Sequence, residues 1–425
     1  MIALLMAASL ASPWAHASTP TLALQCGKFI NVVTLQVETQ RTVLVSGKVV
    51  ARIDAGYTTP AGATVIDLKN ATCMPGLIDL HVHLGGELRA NSAFESFSLN
   101  PADYAIRAVA NAEKTLLAGF TTVRDAGSAQ GVAVGLRNAI NQGIVKGPRL
   151  HAAGGVTTTG GHGDPTNGLR ADLMGTLGVE RGVVSGPDEA ARVVRQRYKE
   201  GFDLIKTSVT GGVLSLAKSG DAPLLSQQEI DAVVRTARDY GMAVATHAHG
   251  AEGMKRAIRA GATSIEHGTY LDDEAIELMK KHGTWLVATI SAGKFVADRS
   301  KEPGYFAEII RRKAAAIGPQ IQATFGRAYK AGVRIAFGTD QGVAPHGDNA
   351  REFQYMVEAG MPPIEAIRAA TLSAAAVMGL QQQIGSLETG KLADVVAVMG
   401  DPLADIGTMM KVCFVMKEGT VYKRP

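Results

Sequence analysis

A chain of 425 residues, 46% hydrophobic and 19% charged, can bury a large core and is too long for one compact domain of average size, so a large domain with a smaller companion is the natural division. Forty-eight glycines against 5% aromatics favour the tight turns of a repetitive α/β protein over an all-β sandwich. A net charge of +4 over this length, with no basic cluster interleaved with aromatics, argues against nucleic acid as a partner.

Residues 1–17, MIALLMAASLASPWAHA, are apolar and close on Ala15-His16-Ala17, a pattern a signal peptidase can cut. They read as a bacterial signal peptide with an atypical start, because no basic residue precedes the apolar stretch; the expected location is periplasmic or secreted. The stretch is shorter than the roughly 20 apolar residues of a membrane span, and no later segment qualifies. Between residues 18 and 72, the runs LALQCGKFINVVT, TVLVSGKVVARI and ATVIDL alternate with Gly and Pro turns, as hairpins do. Cys26, Cys73 and Cys413 are too few for a disulfide framework and too scattered for a thiolate metal site. In an exported chain Cys26 could pair with Cys73; the expectation is that it does not.

From residue 73 to 384 the pattern changes, with strand-like runs alternating with helix-length segments such as AARVVRQRYKEG and EIDAVVRTARDYG. Residues 385–425 return to short strands, KLADVVAVM, VCFVMKEG and TVYKRP. A small β-sandwich domain built from both chain ends, flanking a central α/β domain, accounts for all three regions. The centre offers eight strand candidates: GLIDLHVH, TTVRDAG, RLHAAGG, DLIKTSVTGG, MAVATHAHG, SIEHG, TWLVATIS and RIAFGTD. Their number and spacing predict a (β/α)8 TIM-type barrel, in which parallel strands need crossover helices and the carboxyl ends of the strands converge on one mouth.

Ligand-type residues occupy those ends. In MPGLIDLHVHLGGE, residues 74–87, His81 and His83 are two apart and so face the same way from a strand. Lys206 lies on the fourth strand, His247 on the fifth, His267 on the sixth and Asp340 on the eighth. Each alone has an ordinary reading: a hydrogen-bonded histidine, a lysine reaching solvent, an aspartate capping a helix. Together, in order on strands whose ends meet, they predict a metal site. His162, in the loop TTTGGHGDPTNG, and His249, two after His247, are candidates for substrate contact, against loop packing and ligand support respectively. His346 reads as an exposed-loop residue.

The motifs MPGLIDLHVHL, DLIKTSVTGGVLS, ATHAHG, SIEHG and FGTD resemble those of the amidohydrolase superfamily, over nearly the whole chain after the signal. The resemblance implies a binuclear centre of two divalent metal ions, His81, His83 and Asp340 holding one, His247 and His267 the other, with a carboxylated Lys206 as the bridge. A protonated lysine beside two cations would be repelled, whereas its carbamate offers two anionic oxygens. Imidazole and oxygen ligands suit zinc best. Two ions about 3.5–4 Å apart can acidify a shared water, and Asp340 would act as general base and then acid, with His162 helping hold the substrate carbonyl.

Within the superfamily the motifs most resemble Xaa-Pro and Xaa-amino-acid dipeptidases and ochratoxin-degrading amide hydrolases. The expected activity is cleavage of the amide bond to a C-terminal amino acid in dipeptides or N-acyl amino acids. An imidazolonepropionase-like cyclic-amide hydrolase is the competing reading, and a non-catalytic binding protein the reading of another class. A substrate carboxylate would want a basic partner, for which Arg170 is a candidate on position. The resemblance also implies a homo-oligomer, an octamer among the options.

Overall fold

The computed structural model describes residues 20–425 except 91, 129–130, 165, 167–169, 171, 173–174, 176 and 217, so the signal-peptide expectation lies outside the described residues. Among the described residues fifteen strands are formed: β1 Leu22–Asn31, β2 Gln36–Ser46, β3 Val49–Ala55, β4 Thr64–Pro75, β5 Leu77–Val82, β6 Phe120–Asp125, β7 Arg149–Thr158, β8 Val183–Val184, β9 Leu204–Ser208, β10 Val244–Ala248, β11 Ser264–His267, β12 Trp285–Val287, β13 Val395–Met399, β14 Val412–Lys417 and β15 Thr420–Lys423. They make two sheets, one from both chain ends and one from the centre.

The central sheet runs β5-β6-β7-β9-β10-β11-β12, every pair parallel, with β8 an appendage on the end of β7. Residues 334–338 close the gap as the eighth staff of a TIM-type barrel. Their backbone bonds to β12 on one side, Ala336 N–H to Leu286 O at 3.0 Å, and to β5 on the other, Leu80 N–H to Phe337 O at 3.1 Å. The approach is close: a Cβ on Gly338 would lie 2.4 Å from Val287 Cγ1 and 3.1 Å from His81 Cβ, so only glycine fits between the two flanking strands. Helices such as Pro101–Leu117, Pro187–Lys199 and Gln227–Asp239 supply the crossovers and bury one apolar face each against the barrel. Gln227–Asp239 starts on Ser226, whose side chain accepts from Glu229 N–H while Glu229 accepts from Ser226 N–H, a reciprocal cap.

Residues from both termini form one seven-stranded sheet, β15-β14-β13-β4-β1-β2-β3, with a core of its own around Leu24, Phe29, Val43, Leu68, Val395 and Phe414. Arg149, on β7 of the barrel, holds the two sheets together by pairing with Asp394 and Glu418, each at 2.8 Å. Against expectation, Cys26 and Cys73 form a disulfide, their Cα atoms 5.9 Å apart. The reason is register. β1 and β4 are parallel neighbours whose register shifts between Cys26 and Lys28, so their pairing sets the two cysteines on adjacent strands although they are 47 residues apart in sequence.

Candidate metal centre and active site

The carboxyl ends of the barrel strands open on a cavity of about 460 Å³, a size usual for small-molecule sites. His81, His83, Lys206, His247, His267 and Asp340 all line it, as do His162 and His249. Asp340 Oδ1 lies 3.1 Å from His83 Nε2 and 3.5 Å from His81 Nε2, and Lys206 Nζ lies 3.2 Å from His81 Nε2. The His247 ring stands 4.6 Å from that of His267 and 4.7 Å from that of His249, and the His162 ring stacks on His247 at 4.1 Å. Two triads, His247–His249–His267 and His81–His267–Asp340, each offer one ligand atom per residue within 4.8 Å of one another, close enough to hold a cation.

Each strand-end imidazole is tied on one nitrogen by a group outside the cluster. His81 Nδ1 donates to Glu266 Oε2 at 2.8 Å, because a carboxylate can only accept, which leaves Nε2 as the lone-pair nitrogen facing Lys206 and Asp340. His83 Nδ1 is tied to Gly127 O at 2.5 Å, His247 Nε2 to Gly211 O at 2.9 Å and His267 Nδ1 to Thr289 Oγ1 at 2.7 Å. Such outer bonds fix ring orientation and tautomer and direct the free nitrogen inward, as metal ligation requires.

The backbone carries strain in the same place. Of six non-glycine residues with positive φ among those described, His267 at 71°, Thr289 at 54° and Asp340 at 58° belong to the cavity. A left-handed backbone costs a non-glycine residue about 1–3 kcal/mol and persists only where its surroundings over-determine it. Asp79, wholly buried, supplies part of that constraint. Its carboxylate accepts from His81 N–H, Thr339 N–H, Thr339 Oγ1 and Asn349 Nδ2, clamping β5 to the segment that carries Asp340.

Burial dominates the titration of these groups. It pulls His81 and His162 down to about 4 and His249 to about 3, and takes His247 and His267 well below the ordinary imidazole value, so all are neutral at pH 7. Burial also lowers His83, but its bond to Asp340 and the charge of that carboxylate outweigh it and the net shift is upward. The Lys206 amine is pushed below the usual lysine range by desolvation, against the pull of Glu266 and Asp340. Burial raises the Asp340 carboxyl, yet the charge of His81 and the hydrogen bond from His83 hold it at about 2. Neutral imidazoles and an ionised carboxylate are the forms that bind a cation.

A model of the amidohydrolase family matches residues 72–422. The chain belongs to the amidohydrolase family. As an amidohydrolase it is a hydrolase of carbon–nitrogen bonds, taking a small-molecule substrate. Ochratoxinase of Aspergillus niger is 34% identical to it over 370 residues, which are 83% of this chain and 76% of that protein. Imidazolonepropionase of Sphingopyxis alaskensis is 30% identical over 382 residues, 82% of this chain and 85% of that protein. Among solved structures, a Xaa-Pro dipeptidase with methionine bound in its active site is 50% identical, with a TM-score of 0.92 over 95% of this chain and 99% of the other.

Several features of this amidohydrolase site escaped the sequence. Glu266, Arg124, Thr289 and Asp79 position the site although none was a candidate. Arg124 Nη2 pairs with Glu266 Oε1 at 2.6 Å, both fully buried beneath His81. The available signal was a charged residue in the middle of each short buried run, TTVRDAG and SIEHG. His346 is a correction: it is 6% exposed, and its Nε2 bonds to the carbonyls of His83 and Gly86, so it pins the loop after β5. Arg170 is exposed and paired with Asp172, and does not line the cavity. His162 owes its place to Gly212, where a Cβ would lie 2.1 Å from His162 Nδ1.

Proposed function

We propose that this amidohydrolase cleaves the amide bond to a C-terminal amino acid in dipeptides or N-acyl amino acids, ochratoxin-type amides included. The observation that carries the reading is the meeting of His81, His83, Lys206, His247, His267 and Asp340 in one cavity. Relatives named ochratoxinase and Xaa-Pro dipeptidase support it, and the methionine held by the latter is an amino acid of the kind such a reaction releases. His81, His83 and Asp340 would hold one divalent cation and His247 and His267 a second, with carboxylated Lys206 between them; zinc suits these ligands best. When bound, such a pair supplies a water that ionises near neutral pH and polarises the substrate carbonyl.

The protein's own groups then have defined work. Burial lowers the pKa of the Lys206 amine, which favours the unprotonated form that carboxylation by carbon dioxide needs. Asp340, ionised above about 2, takes the proton of the attacking water and passes it to the leaving nitrogen, without which an amide nitrogen departs poorly. His162, neutral, can donate a ring N–H to the substrate carbonyl oxygen. His249 is tied through Nδ1 to Thr269 Oγ1 at 2.8 Å, which leaves Nε2 for substrate.

The domain division is read as 18–72 and 385–425 in the small β-domain, 73–384 in the hydrolase barrel. Export to an oxidising compartment fits the apolar residues 1–17 and the Cys26–Cys73 disulfide. Among the described residues no helix is long and apolar enough to cross a membrane. We also read the assembly as a homo-oligomer.

A panel of dipeptides, N-acyl amino acids and imidazolone propionate, assayed on protein of measured metal content, tests the reading. Turnover of the first two classes, lost with a chelator, is the expected result. Lys206→Ala should abolish turnover and lower the metal count; full activity in that variant would remove the bridging role. Turnover of imidazolone propionate alone would favour the cyclic-amide reading.

A further inference from the structure

Two segments meet at the wall of the cavity, the loop after β9 and helix Glu308–Lys330. The loop is tied at its neck, where Gly211 N–H donates to Ala222 O at 3.1 Å and Leu224 N–H to Val209 O at 2.8 Å. Beyond the neck, Val213 and Leu214 line the cavity. Gly211 and Gly212 touch the histidine cluster. Gly211 O accepts the Nε2 proton of His247 at 2.9 Å, since a carbonyl can only accept, and a Cβ on Gly212 would lie 2.1 Å from His162 Nδ1. Where the loop stands therefore sets how both rings point.

Helix Glu308–Lys330 reaches the loop through Lys313. Lys313, Ile317 and Ile321 are spaced by four and share one face of the helix, and Ile317 and Ile321 line the cavity. One turn before Ile317, the Lys313 ammonium donates to Gly212 O at 3.0 Å and to Ser215 O at 2.7 Å, and the Ser215 hydroxyl donates to Gly212 O at 2.9 Å. The stem lies along the return of the loop, where a Cβ on Gly220 would be 3.4 Å from Lys313 Cδ. Lys313 is half-buried, so these charge-assisted bonds face less competition from water. The helix is itself anchored. A Cβ on Gly318 would lie 2.8 Å from Ala297 Cβ, and one on Gly293 2.7 Å from Ile321 Cγ2, so helices Ile290–Arg299 and Glu308–Lys330 approach closely through both glycines.

We propose that Lys313 is a positioning residue for amide cleavage: it clasps the Gly212–Ser215 turn to helix Glu308–Lys330 and thereby sets His247 through Gly211 O and His162 through Gly212. This rests on the amide-hydrolase reading above. An ammonium suits the task because its three donors turn freely and can serve two carbonyls three residues apart, where an apolar side chain serves none. With the clasp gone, Gly211 O no longer fixes the His247 ring, and the loop no longer packs on His162, whose ring N–H the substrate carbonyl oxygen needs. The same loop carries Val213 and Leu214, so its release also opens the cavity wall to water.

The test compares wild type, Lys313→Met, Lys313→Arg and, as a control on the next position of the helix, Arg312→Met, whose side chain is 73% exposed. The substrates are alanyl-methionine and N-acetyl-methionine, on metal-loaded protein of measured content. Trypsin cleavage after Lys218, an exposed residue of the same loop, reads the clasp without any substrate. Lys313→Met should be cut there about 10-fold faster at an unchanged unfolding midpoint, the loss expected with hydrogen bonds from a charged donor. It should also lose metal to a chelator about 10-fold faster and show kcat lowered about 10-fold, with KM moved by less. Lys313→Arg, which keeps donors on a long stem, should recover most of each change, and Arg312→Met should show none. Cleavage at the wild-type rate in Lys313→Met would overturn the clasp, as would a rise in KM alone, the mark of a substrate contact. A midpoint lowered enough to account for the faster cleavage would overturn it too; should Lys313→Met not fold, Lys313→Gln, shorter but still a donor, is read in its place. Faster cleavage of Lys313→Met, when wild type turns over neither substrate, would instead sink the amide-hydrolase reading while the clasp itself stands.

Discussion

The Nδ1 proton of His81 goes to Glu266, and Glu266 in turn faces Arg124, with the Ser264 hydroxyl 2.5 Å from the carboxylate. Burial raises this carboxyl, but the Arg124 charge and the His81 bond win and hold it at about 2. An ion pair this deep is costly to break on one side, because the survivor is left charged and unpaired in low dielectric. Glu266→Gln should therefore lower folding stability by about 3 kcal/mol, read from urea unfolding of the metal-free protein. It should also weaken metal retention against a chelator by about 10-fold or more, since the tautomer of His81 is no longer fixed by a carboxylate. Adding Arg124→Met removes the orphaned charge, so the double variant should regain stability without regaining metal retention. If the single variant is as stable as wild type, the buried pair is not what supports His81.

At the scale of elements, the seventh strand departs from its sequence pattern. TWLVATIS reads as one continuous strand, yet only Trp285–Val287 is extended and a helix begins at Ile290. The break is at Thr289, whose φ of 54° turns the chain while its hydroxyl holds His267. Glu352 stabilises the new helix by accepting from Ile290 N–H at 2.8 Å and Ser291 N–H at 2.7 Å. It is 1% exposed, and desolvation raises it to about 7 against the opposing hydrogen bonds. A carboxyl whose folded value is raised binds its proton more tightly in the native state. Its contribution is full below the unfolded value of 4.5 and is lost as pH rises through about 7. Glu352→Gln cannot ionise, so its stability relative to wild type should rise by about 3 kcal/mol between pH 4.5 and 7.5. Parallel stability curves for the two proteins would show that Glu352 does not titrate in this range.

For the whole molecule, the ends of the chain are the informative part. Residues 20–75 and 391–423 reach one sheet from opposite ends of the sequence, and the barrel between them is clamped to it through Arg149. The disulfide closes a loop of 47 residues on the N-terminal side of this sheet. In the chain-entropy account, releasing such a loop in the unfolded state costs about 4 kcal/mol of stability. Replacing both Cys26 and Cys73 by serine should lower unfolding stability by an amount of that order, measured under non-reducing conditions, while leaving kcat unchanged because the cysteines do not line the cavity. No difference between the variant and wild type would mean that the β1–β4 pairing alone holds the sheet.

The sequence by itself determined the barrel and the inventory of its mouth. Alternation along a strand is a property of adjacent residues, so His81 and His83 facing one way, and ligand-type residues at the ends of successive strands, could be read without coordinates. Only tertiary structure decided which outer partner each imidazole has, which cysteines meet, and that Arg181 rather than Arg170 borders the cavity. His81 and Glu266 are 185 residues apart, and nothing periodic links them. Their contact is fixed by the closure of the barrel, which packs β5 and β11 side chains into one interior, and contacts set by closure leave no trace in the order of neighbouring residues.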